Sequence, residues 1–269
     1  MSSKIKMPTF FISHGGGPWP WLDGPYRDSY RLLEQSLKEL PNNLPEKPKA
    51  ILIISGHWET EKFSIMTHAQ PPMIYDYSGF PDHTYQIKYP AKGMPALALN
   101  VQSMLEKIGI PVLLDSVRGY DHGTFTPLAV SFPNADVPVV QLSMRADYDA
   151  DAHIKAGLAL APLREQGVLI IGSGLSYHNL RMFDQRAAKP SHEFDAWLQQ
   201  TLIHSNPIER RAKLLEWKRA PSARIAHPQE DHLLPLMIAV GAAEEDLCQM
   251  CYHEDNFMGG IAVSSFRFG

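Results

Sequence analysis

Three apolar runs in this chain each stop in small residues and lead into a histidine. The longest is Ile51-Leu52-Ile53-Ile54-Ser55-Gly56-His57. The others are Thr9-Phe10-Phe11-Ile12-Ser13-His14, and Val168-Leu169-Ile170-Ile171-Gly172-Ser173-Gly174, which continues to Tyr177-His178. Unbroken aliphatic runs of this length describe strands buried on both faces, as in parallel sheets covered by helices. The expected fold class is therefore α/β. In open sheets of that class, ligands bind beyond the carboxyl ends of the strands, where the helices leave a crevice. His14, His57 and His178 stand at those ends.

Length and charge narrow the function. A chain of 269 residues with 44% hydrophobic content can bury a large core, and α/β folds of this size are commonly one domain, so a single domain over 1–269 is expected. The net charge is -4 and basic residues form no run, which removes the electrostatic footprint of nucleic-acid binding and of membrane-surface attachment. The longest apolar runs are strand-sized, and the stretch from Met1 to Met7 lacks an apolar segment that could serve as a signal peptide, so a cytoplasmic location is expected. Two cysteines, Cys248 and Cys251, make no disulfide framework. Their Cys-x-x-Cys spacing falls on an expected strand, where positions three apart face opposite ways and do not converge on one ion.

Along the chain, the spacing predicts a helix over 26–40, strands over 50–55 and 63–67, a helix over 96–108 and a strand over 112–114. A strand over 137–143 and a helix over 150–164 lead to the strand that begins at Val168. Helices over 191–205 and 208–219 follow, then a helical run over 233–240 stopped by Gly241, and closing strands over 247–252 and 261–266. Residues 75–95 are rich in glycine, proline and aromatics without periodicity, which reads as a long ordered loop bordering a binding site.

A fourth histidine, His122, sits among glycines after the strand at 112–114. One histidine after a strand is usually a hydrogen-bonded structural group. Four of them, His14, His57, His122 and His178, expected on one sheet edge, point to a shared site. Neutral imidazoles from several segments suit a first-row metal such as Zn or Fe(II), with His232 available to complete the set. The glycine-rich stretch after His14 also suggests an oxyanion loop, but no Gly-x-Ser-x-Gly elbow accompanies it. Gly172-Ser173-Gly174 likewise fails the dinucleotide fingerprint, since Tyr177 replaces its last glycine.

Taken together, Ser13-His14-Gly15, Ser55-Gly56-His57-Trp58, Tyr75-Asp76-Tyr77-Ser78-Gly79-Phe80-Pro81, Asp121-His122-Gly123, His178-Asn179-Leu180 and Glu230-Asp231-His232-Leu233 resemble the class III extradiol ring-cleaving dioxygenases, specifically their 4,5-DOPA dioxygenase branch. The resemblance spans nearly the whole chain. It implies a central mixed, mostly parallel sheet flanked by helices, and a non-haem metal held by His14, His57 and, at the third position, His232. Glu230 stands close by as an alternative carboxylate ligand. Fe(II) is implied for activity, with Zn(II) as another occupant of an all-histidine set. His178 matches the acid/base histidine, or a fourth ligand if zinc fills the site, and His122 matches a group that hydrogen-bonds substrate or oxygen. His227 reads as a structural neighbour of Pro228. The implied substrates are a small aromatic diol and dioxygen. Competing readings are a zinc hydrolase on the same scaffold and a non-catalytic metal-binding protein. Oligomeric state is not encoded in these patterns.

Overall fold

Ile51, Leu52, Ile53 and Ile54 are all fully buried, which a strand achieves only when both faces of its sheet are covered. The computed structural model describes residues 5–269; Met1 to Lys4, part of the stretch expected to lack a signal peptide, lie outside the described residues. The strands in chain order are β1 (Thr9–Ser13), β2 (Ala50–Thr60), β3 (Phe63–Met66), β4 (Val112–Asp115), β5 (Val139–Arg145), β6 (Val168–Gly174), β7 (Cys248–Phe257) and β8 (Ile261–Phe268). They form one mixed sheet in the order β4-β3-β5-β2-β6-β1-β8-β7 among the described residues. The helices are α1 (Pro25–Asp28), α2 (Arg31–Glu39), α3 (Pro95–Glu106), α4 (His122–Ser131), α5 (Ala150–Leu160), α6 (Ala188–Ile203), α7 (Pro207–Leu215), α8 (Ala223–Ala226) and α9 (Leu234–Ala243).

The sheet's directions decide where side chains emerge. β6 lies between β2 and β1 and runs parallel to both, so the three histidine-tipped runs end on one edge. β3 runs antiparallel to β5, and β4 parallel to β3. The carboxyl end of β4 therefore points away from that edge, contrary to the placement expected for His122. The chain returns through 116–121, bridged at Tyr120 to Met73, and His122 begins α4 rather than sitting in a loop. Asp121 caps this helix by accepting from the Thr124 amide at 3.1 Å.

Several boundaries also differ from expectation. β2 does not stop at Ser55-Gly56: its pairing with β6 ends at Ser55, while its pairing with β5 resumes after a register shift between Ile54 and Glu59. His57 occupies that irregular stretch. The helix expected over 26–40 is broken between α1 and α2, and the one over 150–164 tightens into a 3-10 turn at Ala161–Gln166. The strand at 247–252 continues to Phe257.

Every residue of α9 is buried, the mark of a helix surrounded on all sides. It packs on β1, β2 and β6 and crosses α5. Gly241 is not its stop. A Cβ at Gly241 would stand 2.2 Å from the Ile154 carbonyl and 3.0 Å from the Gly157 Cα, so this glycine marks the point where the two helix backbones meet. Alanine in place of glycine gains about 1 kcal/mol in an exposed helix. At Gly241 the sign reverses: Gly241→Ala is expected to destabilise the fold by about 1–3 kcal/mol through overpacking, read as a lower urea midpoint with an unchanged slope.

Candidate metal centre

His14, His57 and His232 come together at the common strand edge, with one ring nitrogen of each within 4.8 Å of the others. The Nε2 atoms of His14 and His57 are 3.1 Å apart, and those of His57 and His232 are 3.2 Å apart. Two of the rings are hydrogen-bonded from behind through Nδ1, and the third faces a carboxylate there. His14 Nδ1 lies 3.1 Å from Ser173 Oγ, whose own proton goes to the Gly123 carbonyl at 2.5 Å, so the imidazole is the donor. His232 Nδ1 donates to Asp231 Oδ2 at 2.6 Å, and His57 Nδ1 lies 3.3 Å from Asp76 Oδ2. With the Nδ1 protons directed at these acceptors, the facing Nε2 atoms present lone pairs to one another. That arrangement is repulsive without a cation between them, and it is how metal-binding histidines are oriented by their partners.

The local sequence explains how His232 gets there. A Cβ at Gly174 would stand 2.1 Å from the His232 carbonyl, and the Leu175 amide donates to that carbonyl at 3.1 Å. The small end of β6 thus leaves the space that the segment before α9 occupies, laying His232 across the strand ends beside His14 and His57.

His178 and His122 flank the triad and line the same cavity, which has a volume of about 480 Å³. The His178 ring stacks on His232 with centroids 3.4 Å apart and planes tilted by 17°, and its Nδ1 lies 3.4 Å from Asp231 Oδ2. The His122 amide and Nδ1 both donate to Asp76 Oδ1, each at 2.9 Å. Asp76 and Asp231 therefore each serve one triad histidine and one flanking histidine. These contacts hold the Asp76 carboxyl down at about 2, despite burial, and keep Asp231 well below the usual carboxylate range. Burial, reinforced by the neighbouring imidazoles, lowers His57 to about 4 and holds His14 and His232 well below the ordinary histidine value. The three triad rings are neutral at physiological pH, as ligation requires.

Asp76 and Asp231 were not among the site residues expected from sequence. The available signal was chemical: a ligating imidazole wants an acceptor behind it, and Asp231 directly precedes His232. Directly before His122, fully buried Asp121 accepts from Ser55 Oγ at 2.7 Å, from Arg118 at 2.6 Å, and from Gln141.

Glu230 is not with the triad. It pairs with Arg224 at 2.7 Å and Lys218 at 3.2 Å. His227 lies in the core, its Nε2 2.9 Å from the Ser176 carbonyl and its ring against Phe194. A register shift between Met250 and Tyr252 interrupts the alternation assumed for Cys248 and Cys251; both thiols are free, and burial pushes each up to about 12. The loop over 75–95 reaches the cavity through Asp76, and Tyr77 packs against His122 with ring centroids 5.8 Å apart.

Residues 7–268 match the family described as the catalytic LigB subunit of aromatic ring-opening dioxygenase. The chain belongs to the LigB family. It is 39% identical over 264 residues to a protein from Beta vulgaris named 4,5-DOPA dioxygenase extradiol, covering 97% of this chain and 96% of that one. An Escherichia coli K12 protein of the same name is 32% identical over 272 residues, covering 99% and 96%. The crystal structure of an uncharacterized Escherichia coli K12 protein superposes with a TM-score of 0.79 at 29% identity, covering 98% of this chain and 100% of that one. As a LigB protein the chain is an aromatic ring-opening dioxygenase of the extradiol type, which sets aside the hydrolase and non-catalytic readings. Membership implies a non-haem metal site, an aromatic substrate and dioxygen.

The close approach at Gly174 gives a direct check on how this LigB chain positions His232. Gly174→Ala is expected to cost about 1–3 kcal/mol in stability and to shift the His232 and His178 ring resonances in NMR spectra. Glu230→Gln should leave those resonances in place.

Proposed function

We propose that the chain is a single-domain, cytoplasmic, Fe(II)-dependent extradiol dioxygenase that inserts both atoms of dioxygen into a catechol-type, DOPA-like substrate, with His14, His57 and His232 as its metal ligands. The observation that carries this reading is the convergence of three Nε2 atoms whose Nδ1 atoms each face an acceptor. Among the described residues no helix is long and apolar enough to cross a membrane. Bound iron would hold the diol near dioxygen and supply redox chemistry, which zinc in the same imidazole set lacks.

The protein's own contribution is proton handling and orientation. His178 keeps Nδ1 toward Asp231, which leaves Nε2 to take a proton from a diol hydroxyl and to return it as the ring opens. The Asp231 carboxylate stabilises the imidazolium in between. The face-to-face stack of His178 on His232 favours this acid/base role over that of a fourth ligand, because a parallel ring does not aim its nitrogen at the ion its neighbour holds. His122, whose Nδ1 proton goes to Asp76, offers Nε2 as an acceptor to the other hydroxyl.

Alanine at His14, His57 or His232 should each reduce bound metal to well below one ion per chain, since two imidazoles hold a divalent ion poorly; elemental analysis checks this. Retention of full metal by His232→Ala together with loss by Glu230→Ala would reassign the third ligand. His178→Phe keeps the bulk of the ring and removes both nitrogens. Dioxygen uptake with a catechol, after anaerobic Fe(II) loading, is expected to fall about 100- to 10,000-fold while iron content holds. Unchanged turnover would take His178 out of the mechanism, and coupled loss of iron would make it a ligand.

A further inference from the structure

β2 pairs with β6 as far as Ser55, and its register with β5 jumps from Ile54 to Glu59. His57 therefore sits where the ladder is interrupted. Irregular stretches of this kind recur beside active sites, and the chain there needs other groups to fix it. Here the fixing group is a fully buried acid, Asp121. Its Oδ1 accepts from Ser55 Oγ at 2.7 Å and from the Thr124 amide at 3.1 Å, and its Oδ2 accepts from Arg118 at 2.6 Å and from Gln141. Two of these partners lead on to His57. Ser55 Oγ accepts from the His57 amide at 3.2 Å, and the Arg118 guanidinium reaches the His57 carbonyl at 3.4 Å while lying over the Trp58 ring.

The same carboxylate caps α4, whose first residue is His122. Helix start and strand are in direct contact: a Cβ at Gly123 would stand 2.4 Å from Ser55 Oγ and 2.8 Å from His57 Cδ2, and the rings of His57 and His122 have centroids 4.0 Å apart. We propose that Asp121 is a positioning residue of the metal centre, tying β2 to α4 so that His57 meets the metal while His122 faces the substrate at a fixed separation. This role rests on the assignments of His57 and His122 given above. A carboxylate suits it because each of its oxygens meets two donors, and the Arg118 cation offsets its burial. An amide does not. Whichever way an asparagine side chain is turned, its NH2 faces either the Thr124 amide or the Arg118 guanidinium, and both are donors.

The test reads the histidine rings of metal-free, isotope-labelled protein by NMR, together with Zn(II) affinity measured against a competing chelator. Asp121→Asn should shift the ring resonances of His57 and His122 and leave those of His178, which rests on Asp231, near their parent positions. It should also weaken Zn(II) binding about 10- to 100-fold, the usual effect of losing a group behind a ligand. Ser55→Ala keeps the carboxylate and its other partners and removes only the hydroxyl that leads to His57, so it should move the His57 resonances more than those of His122. Because it deletes a single hydroxyl, this second variant decides the matter even if Asp121→Asn fails to fold. Unmoved His57 resonances in Ser55→Ala would overturn the role, as would shifts in Asp121→Asn that extend equally to His178, or a parent-like Zn(II) affinity there. Dioxygen uptake by the Fe(II)-loaded parent with a catechol is followed separately: its absence beside the expected shifts counts against the dioxygenase reading and leaves the positioning role standing.

Discussion

Imidazole rings crowded together out of water are held most cheaply without charge, because a protonated ring loses hydration and repels the next. His14, His57 and His232 meet this constraint edge to edge, and the rest of the site follows from it. Each ring needs an acceptor for its one proton, so Ser173, Asp76 and Asp231 stand behind them. Those carboxylates are charged and partly buried in turn, so each is shared with a second histidine. A network built this way has few alternative arrangements: turning one ring strands a partner, and a stranded buried charge is far less favourable than a missing contact.

The sheet makes the crowding possible. Adjacent parallel strands β2, β6 and β1 bring their ends within a few ångströms of one another without long loops. Small residues at those ends matter as much as the apolar runs before them. Gly174 admits the backbone of the His232 segment, and Ser173 is small enough to face both His14 and the Gly123 carbonyl. α9, apolar on every side, then fastens the same segment over β6, β1 and β2.

Much of this was legible in the chain. Because a strand buried on both faces leaves a one-dimensional signal, the aliphatic runs located the central strands and put His14 and His178 past their ends, with His57 falling inside the irregular second half of β2 rather than after it. His122 reads in the same way, as following the strand at 112–114, and His232 is added to complete the set, a third-ligand position that the motif resemblance then supports. Strand direction was the main thing missing. Nothing within Val112–Asp115 says that β4 runs against the central strands, since direction is set by the partner it pairs with. Asp76 and Asp231 were passed over for a related reason: a carboxylate in an aperiodic segment looks like ordinary surface until the ring it holds is placed. Gly241 was taken as a helix stop because glycine is weak in helices, but here the crossing with α5 outweighs that preference.

The route by which His232 joins His14 has a consequence for how the protein assembles. One histidine follows the first strand, the other precedes the last helix, and the strand that spaces them, β6, comes from between. No short contiguous fragment holds the triad, which spans residues 14–232. Contacts this remote in sequence close large loops, and their entropic cost is met only once most of the sheet is in place. During synthesis the first two histidines leave the ribosome long before the third, and they remain an incomplete pair. The centre is thus a product of finished folding, and a chain arrested short of α9 exposes donor atoms without a site.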